Sequence, residues 1–248
     1  MGIIIFNGVS SKDIGLEVET FPTYKVPEKE YSVYHVPGRN GDIITSTGSY
    51  KPTTRSYMVS IATWDLVPYS TLMSRVSQWL NSSTGYARLE DSYDPEVYRM
   101  GYYAEMLEFE NLFNEAGKAK LNFNVKPQRF YKKGELPVTF TSSALGHIQN
   151  ETINDALPLL KITHSTSEDG AIAIGSYVVG ISKSANSPLY IDCDLQDAYS
   201  YSSNVLINEN SKIVLNGGSF PKLVPGLIEI YCAGGVSSVE ITPRWWSI

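Results

Sequence analysis

Reactive side chains are scarce in this chain. Of its 248 residues, two are cysteine (Cys193, Cys232) and three are histidine (His35, His147, His164). Neither cysteine belongs to a C-x-x-C pair, and no histidine has a second histidine or a cysteine at metal-ligand spacing. The common zinc and redox motifs are therefore absent. The expectation is two reduced, buried thiols in strands. No G-x-S-x-G elbow accompanies the histidines, and the glycines form no G-x-x-x-x-G-K-[ST] phosphate loop. No catalytic, cofactor-binding or metal-binding residue is assigned. No run of about 18 apolar residues could span a membrane as a helix. The stretch from Met1 lacks the basic and long apolar regions of a secretory signal, so none is expected. Charged residues make up 19% of the chain, below the usual figure of about 25%. Its lysines and arginines are not clustered as nucleic-acid binding requires.

What the chain has is strand-forming material. Aromatics reach 12%, with 17 tyrosines, a composition suited to strands and wet interfaces. The dominant hydrophobic period is two. Tyr57, Val59 and Ile61 alternate with Met58, Ser60 and Ala62; Leu121, Phe123 and Val125 alternate with Asn122, Asn124 and Lys126; Val239 and Ile241 alternate with Glu240 and Thr242. Such alternation marks strands with one buried face. One stretch breaks it. Leu72, Met73, Val76, Trp79 and Leu80 fall on one face of a helix over about residues 70–82, with Ser70 as N-cap and Gly85 beyond its end. Residues 98–110 and the segment ending at Val125 suggest a long hairpin, with a turn over 111–117, closed off at Pro127.

Charge and linker composition divide the chain near residue 134. Residues 1–133 carry 15 basic and 15 acidic side chains, and residues 134–248 carry 5 and 11, so the second part holds the whole net charge of −6. That part has short apolar runs about ten residues apart, separated by Asn216-Gly217-Gly218, Pro225-Gly226 and similar turns. This is the signature of an antiparallel sandwich or jelly roll. The expected domains are thus 1–133, a β domain with one helix, and 134–248, a β-sandwich.

Several clusters invite a functional reading. Glu90, Asp91, Asp94 and Glu96 could hold a cation or serve glycoside hydrolysis, but aspartate before proline is also a common turn device. Asp192, Asp194 and Asp197 read as a cation site or a solvated strand edge. Gly38, Arg39, Asn40 and Gly41 form a turn-rich hinge with a strong positive-φ signal. Residues 43–54, rich in Thr, Ser and Gly, read equally as an exposed loop or as an arm that packs on a neighbour. Trp245 and Trp246 read as the end of a core strand or as an aromatic platform for sugar.

The order of these pieces resembles a known family. The pieces are Pro37-Gly38-Arg39-Asn40-Gly41-Asp42, one amphipathic helix, Val125-Lys126-Pro127-Gln128-Arg129, the stretch from Tyr190 to Tyr199, Phe220-Pro221-Lys222-Leu223-Val224-Pro225-Gly226, and Ile241-Thr242-Pro243-Arg244-Trp245-Trp246. Together they are similar to the distal tail proteins of siphophages. The resemblance implies that the first domain is a β-sandwich or split barrel with one helix, that it builds a homo-oligomeric, hexameric ring, and that a galectin-like sandwich lies outside it. It implies a virion protein at the distal end of the tail, assembled in the host cytoplasm. Its partners would be the tail tube protein, the tape-measure protein, the tail-associated tip protein and, through the outer domain, receptor-binding proteins. Gly38, Arg39, Asn40 and Gly41 are expected at the subunit interface. The competing reading is a carbohydrate-binding module for cell-wall polysaccharide. The galectin sugar pattern H-x-N-x-R is missing at both His147 and His164.

Overall fold

A computed structural model describes residues 2–62, 67–112, 116–142 and 144–248. The chain forms two compact units, the first comprising Met1–Arg129 with Ile248 and the second Phe130–Ser247.

The first unit is a curled antiparallel sheet with one helix. Along the sheet the strands run Val9–Ser10, Ile4–Phe6, Ala87–Asp91, Val97–Tyr102, Ala116–Val125, Thr53–Ala62 and Leu16–Val18. The two longest strands pair over ten consecutive registers, from Ala116 opposite Ala62 to Val125 opposite Thr53. Their alternation puts Tyr57, Val59, Ile61, Leu121 and Phe123 on one buried face. The sheet nearly closes on itself, because the Gly2 N–H reaches the Val18 carbonyl at 3.1 Å. Glycine is needed at this seam, where a Cβ would run into the Tyr93 ring.

The helix spans Tyr69–Leu80 and buries Leu72, Val76, Trp79 and Leu80. Trp79 meets Phe6 and Phe123 edge-on, at 6.0 and 6.3 Å between ring centroids. Its indole N–H donates to the Val9 carbonyl at 3.1 Å. The start differs from expectation. Pro68 occupies the N-cap and Ser70 lies inside the first turn, consistent with the fixed φ of proline at a helix entrance.

The long hairpin expected over 98–125 is not formed as such. The strand from Val97 ends at Tyr102 and meets the Ala116–Val125 strand at only two registers. Tyr103, Leu107 and Phe109 leave the ladder and pack against the hydrophobic core beside the helix. A short strand, Glu110–Leu112, then pairs with residues 116–118. Residues 113–115 of the expected turn lie outside the described residues.

The second unit is a sandwich of two antiparallel sheets. One runs Val138–Thr141, Val236–Thr242, Leu159–His164, Leu189–Asp192, Asp197–Ser202 and Val205–Asn208. The other runs Gly146–Asn150, Gly226–Gly234, Gly170–Ile174, Tyr177–Ile181 and Ile213–Asn216. Their inner faces share one core: Leu160, Ile162, Ile191, Val239 and Ile241 from the first, Ile172, Ile174, Val179 and Ile230 from the second. Each such side chain stabilises by about 1.5–3 kcal/mol on burial. Trp245 joins this core at 6% exposure. Trp246 packs against it, and its indole N–H donates to the Asp155 carbonyl at 2.9 Å.

Candidate functional site

A second pair of strands in the first unit stands apart from the curled sheet. Lys29–Tyr34 and Ile43–Tyr50 form a two-stranded antiparallel hairpin, with Val33 opposite Ile44 and Tyr34 opposite Ile43. Of the stretch 43–54, residues 43–50 form this paired strand rather than a loop, and Thr53 and Thr54 begin the Thr53–Ala62 strand. The segment is rich in Tyr, Val, Ile and Thr, which favour extended backbone. At the tip, Gly38 and Gly41 take φ of +81° and +80°, a region that costs glycine little and a β-branched residue much. The Arg39 N–H donates to the Val36 carbonyl at 3.2 Å. His35 Nδ1 and Asp42 Oδ1 sit 3.0 Å apart across the turn. At the root, the Lys51 N–H donates to the Glu28 carbonyl at 2.9 Å, and the two side chains pair at 3.1 Å.

Both faces of this hairpin lie open. Tyr31 is 54% exposed, Val33 57%, Tyr34 58% and Ile44 64%. Tyr31, Val33 and Ile44 share one face, and Tyr34 and Ile43 the other. An isolated two-stranded hairpin is marginally stable at best in water, and contiguous exposed apolar side chains mark interaction surfaces.

Three carboxylates of the acidic clusters, Asp91, Asp94 and Asp192, are held in arginine pairs. Asp91 is buried at the end of its strand, where it accepts from Arg55 Nη2 at 2.8 Å and from the Tyr57 hydroxyl at 2.7 Å. Its other oxygen accepts from the Tyr93 and Asp94 N–H groups. Burial and the Asp91 charge push the Tyr57 phenol far above its usual range, so it stays protonated. Asp94 accepts from Arg129 at 2.7 Å. Asp192 is likewise not a solvated edge. It is 5% exposed and holds Arg244 by two bonds, at 2.8 and 2.9 Å. The sequence reading missed these pairs, although it held one signal. Arg55 shares the inward face of its strand with Tyr57, Val59 and Ile61, and a buried cation demands a buried acid.

The histidines are dispersed. His35 is at the hairpin tip, His147 lies 4.0 Å from Glu229 on an exposed strand, and His164 is buried with its ring nitrogens facing the Ser165 and Asn186 carbonyls. Cys193 and Cys232 are free and buried, and burial pushes the Cys193 thiol up to about 12. Among the described residues, no group of three or more His, Cys, Asp or Glu could hold a metal, and no helix is long and apolar enough to cross a membrane.

The fold recurs in solved structures. The chain aligns end to end with the phage SPP1 Dit (gp 19.1) protein, at a TM-score of 0.73 and 14% identity, covering 100% of both chains. The fold is that of a Dit protein. The SPP1 Dit protein is described as a paradigm of the hub adsorption apparatus in phages that infect Gram-positive hosts. The Dit fold also matches chains of the phage p2 baseplate in its activated conformation. With Sr the TM-score is 0.56, at 10% identity over 97% of this chain and 96% of that one. With Ca it is 0.57, at 9% identity over 97% of each. No family model and no curated protein matches the sequence. The Dit resemblance therefore lives in the fold, with little sequence identity left to carry it.

Proposed function

We propose that this chain is a structural, non-enzymatic hub of a phage tail tip. It forms a ring that joins the tail tube to the tip protein and the host-recognition components. The bare hairpin carries this reading. A chain that keeps Tyr31, Val33, Tyr34 and Ile44 in water on an unsupported ladder gains most when a second copy covers them. Gly38, Arg39, Asn40 and Gly41 form the tip of that arm and are its interface residues. Head-to-tail contact between the arm and a different patch on the next subunit closes into a ring. A count of six, the tape-measure and tail-tube partners, and a place at the distal end of the virion come with the family resemblance. The domains implied are a ring-forming first part, residues 1–133, and an outer galectin-like part, residues 134–248. Light scattering on the purified chain should give a ring mass, and replacing residues 29–50 with a short glycine-serine loop should give folded monomers. A strictly monomeric parent protein at every concentration sinks the proposal.

A second reading, glycan recognition, has a different support from the one expected. Trp245 is buried and offers no platform. Tyr190, Tyr199 and Tyr201 instead cluster on neighbouring strands of the second unit, 5.5–5.6 Å apart between ring centroids. Titration with host wall polysaccharide discriminates the two readings. Binding abolished by Tyr201→Ala favours the glycan, and no binding at all removes it.

A further inference from the structure

Three guanidinium groups meet at one end of the first unit's sheet, near the root of the hairpin. Arg55 and Arg99 are buried, at 4% and 8% exposure. The Arg129 side chain is one-third exposed, at 32%. Two carboxylates answer them. Asp91 is fully engaged by Arg55, Tyr57 and two backbone N–H groups. Asp94 serves Arg129 at 2.7 Å and reaches Arg99 only at 3.5 Å. Counted over side chains, three cations against two anions leave one positive charge in excess where unpaired charge is costly.

Arg99 is the least satisfied of the three. A guanidinium has five N–H donors, and its one hydrogen bond here lies at the outer limit of useful length. Burial pulls its pKa below the usual guanidinium range, and repulsion from Arg55 and Arg129 adds to that. The Arg129 Nε is buried without a hydrogen-bond partner. All three arginines line one cavity of about 170 Å³, to which Lys25 and Lys126 add two more cations. No acidic side chain lines it, and the one carboxylate among its lining residues is the terminal group of Ile248. Tyr24, 4.4 Å from Arg55 between ring centre and guanidinium carbon, walls one side.

We infer that this cavity is a binding site for a small oxyanionic group, a phosphate or a carboxylate. Arginine forks match the paired oxygens of both groups. A bound anion would supply the acceptor that Arg99 lacks and offset the excess charge. It would also tie Lys25, on the segment leading into the hairpin, to the strands that carry Arg55 and Arg99. The five cations come from four stretches of sequence, at Lys25, Arg55, Arg99 and Lys126 with Arg129, which is why no large basic cluster shows along the chain.

The test is titration of the full chain with sodium phosphate, sodium sulfate or sodium acetate, against sodium chloride at matched ionic strength. Heat of binding and thermal midpoint are read. At least one oxyanion should bind saturably and raise the midpoint beyond chloride. A preference for phosphate and sulfate assigns a phosphoryl group, and a preference for acetate assigns a carboxylate. Arg99→Gln should abolish the effect. Because that variant risks misfolding, Lys25→Gln with Lys126→Gln, both exposed, is the second arm and should weaken binding about tenfold. The inference fails if no oxyanion exceeds chloride, or if binding is unchanged in the lysine variant.

Discussion

Two antiparallel strand pairs in the first unit draw on the same strand-forming residues and end in opposite environments. Thr53–Ala62 and Ala116–Val125 share ten registers and place Tyr57, Val59, Ile61, Leu121 and Phe123 under a helix. Lys29–Tyr34 and Ile43–Tyr50 share a shorter ladder and leave Tyr31, Val33, Tyr34 and Ile44 in water. Hydrogen bonding is available to both. What separates them is a cover. Each large apolar side chain removed from water stabilises by about 1.5–3 kcal/mol, a contribution the hairpin does not receive from its own chain. A ladder in one protomer can therefore be a structural element of an assembly.

That contrast can be broken at several points. The largest loss should come from the covered pair's ionic anchor. Asp91→Ala strands Arg55 in the interior and should cost about 3–5 kcal/mol, read as a lower urea midpoint of the first unit; an unchanged midpoint would contradict the buried pairing.

In the second unit, Arg244→Gln should cost about 1.5–3 kcal/mol at pH 7. It should also change the acid limb of the stability curve. Burial alone would raise the Asp192 carboxyl, but the Arg244 bonds outweigh it and hold it below the ordinary carboxylate range. With the folded pKa below the unfolded one, the contribution is complete above about pH 4 and is lost as pH falls through the folded value. The variant should therefore decline less steeply below about pH 4. An identical acid limb would show that Arg244 does not set the Asp192 charge.

Trp79→Phe removes the bond to the Val9 carbonyl and should cost about 1 kcal/mol, with little change in the helical circular dichroism. The smallest effect on subunit stability belongs to the bare pair. Val33→Asp with Ile44→Asp should change it by no more than about 0.5 kcal/mol, while shifting the oligomer towards monomer in light scattering. A large loss of subunit stability would mean that the hairpin is held by its own chain after all.

Much of this architecture was legible before any coordinates. Period-two alternation identified the inward faces of the 53–62 and 116–125 strands, and the spacing from Leu72 to Leu80 identified the helix and its buried face. Partner choice was not legible. Alternation fixes which face is buried but not which strand lies alongside, so the 116–125 segment was expected against its sequence neighbour 98–110, whereas its long ladder is with residues 53–62. Tyr103, Leu107 and Phe109 left the ladder to fill space beside the helix, a tertiary effect that local pattern does not encode. The buried ion pairs were hidden for the same reason. Asp91 lies 36 residues from Arg55, and Asp192 lies 52 from Arg244. Asp91 looked like a turn residue, and Asp192 like a solvated strand edge or cation ligand, until their cations were placed.

The open edges of the Lys29–Tyr50 ladder also bear on how the chain behaves when it is abundant. Unpaired backbone donors and acceptors beside exposed Val and Ile are sticky, so two free copies that collide can join edge to edge in the wrong register. Such encounters grow with the square of the concentration of unassembled chain. Overproduction of the chain by itself should therefore yield aggregates as its concentration rises.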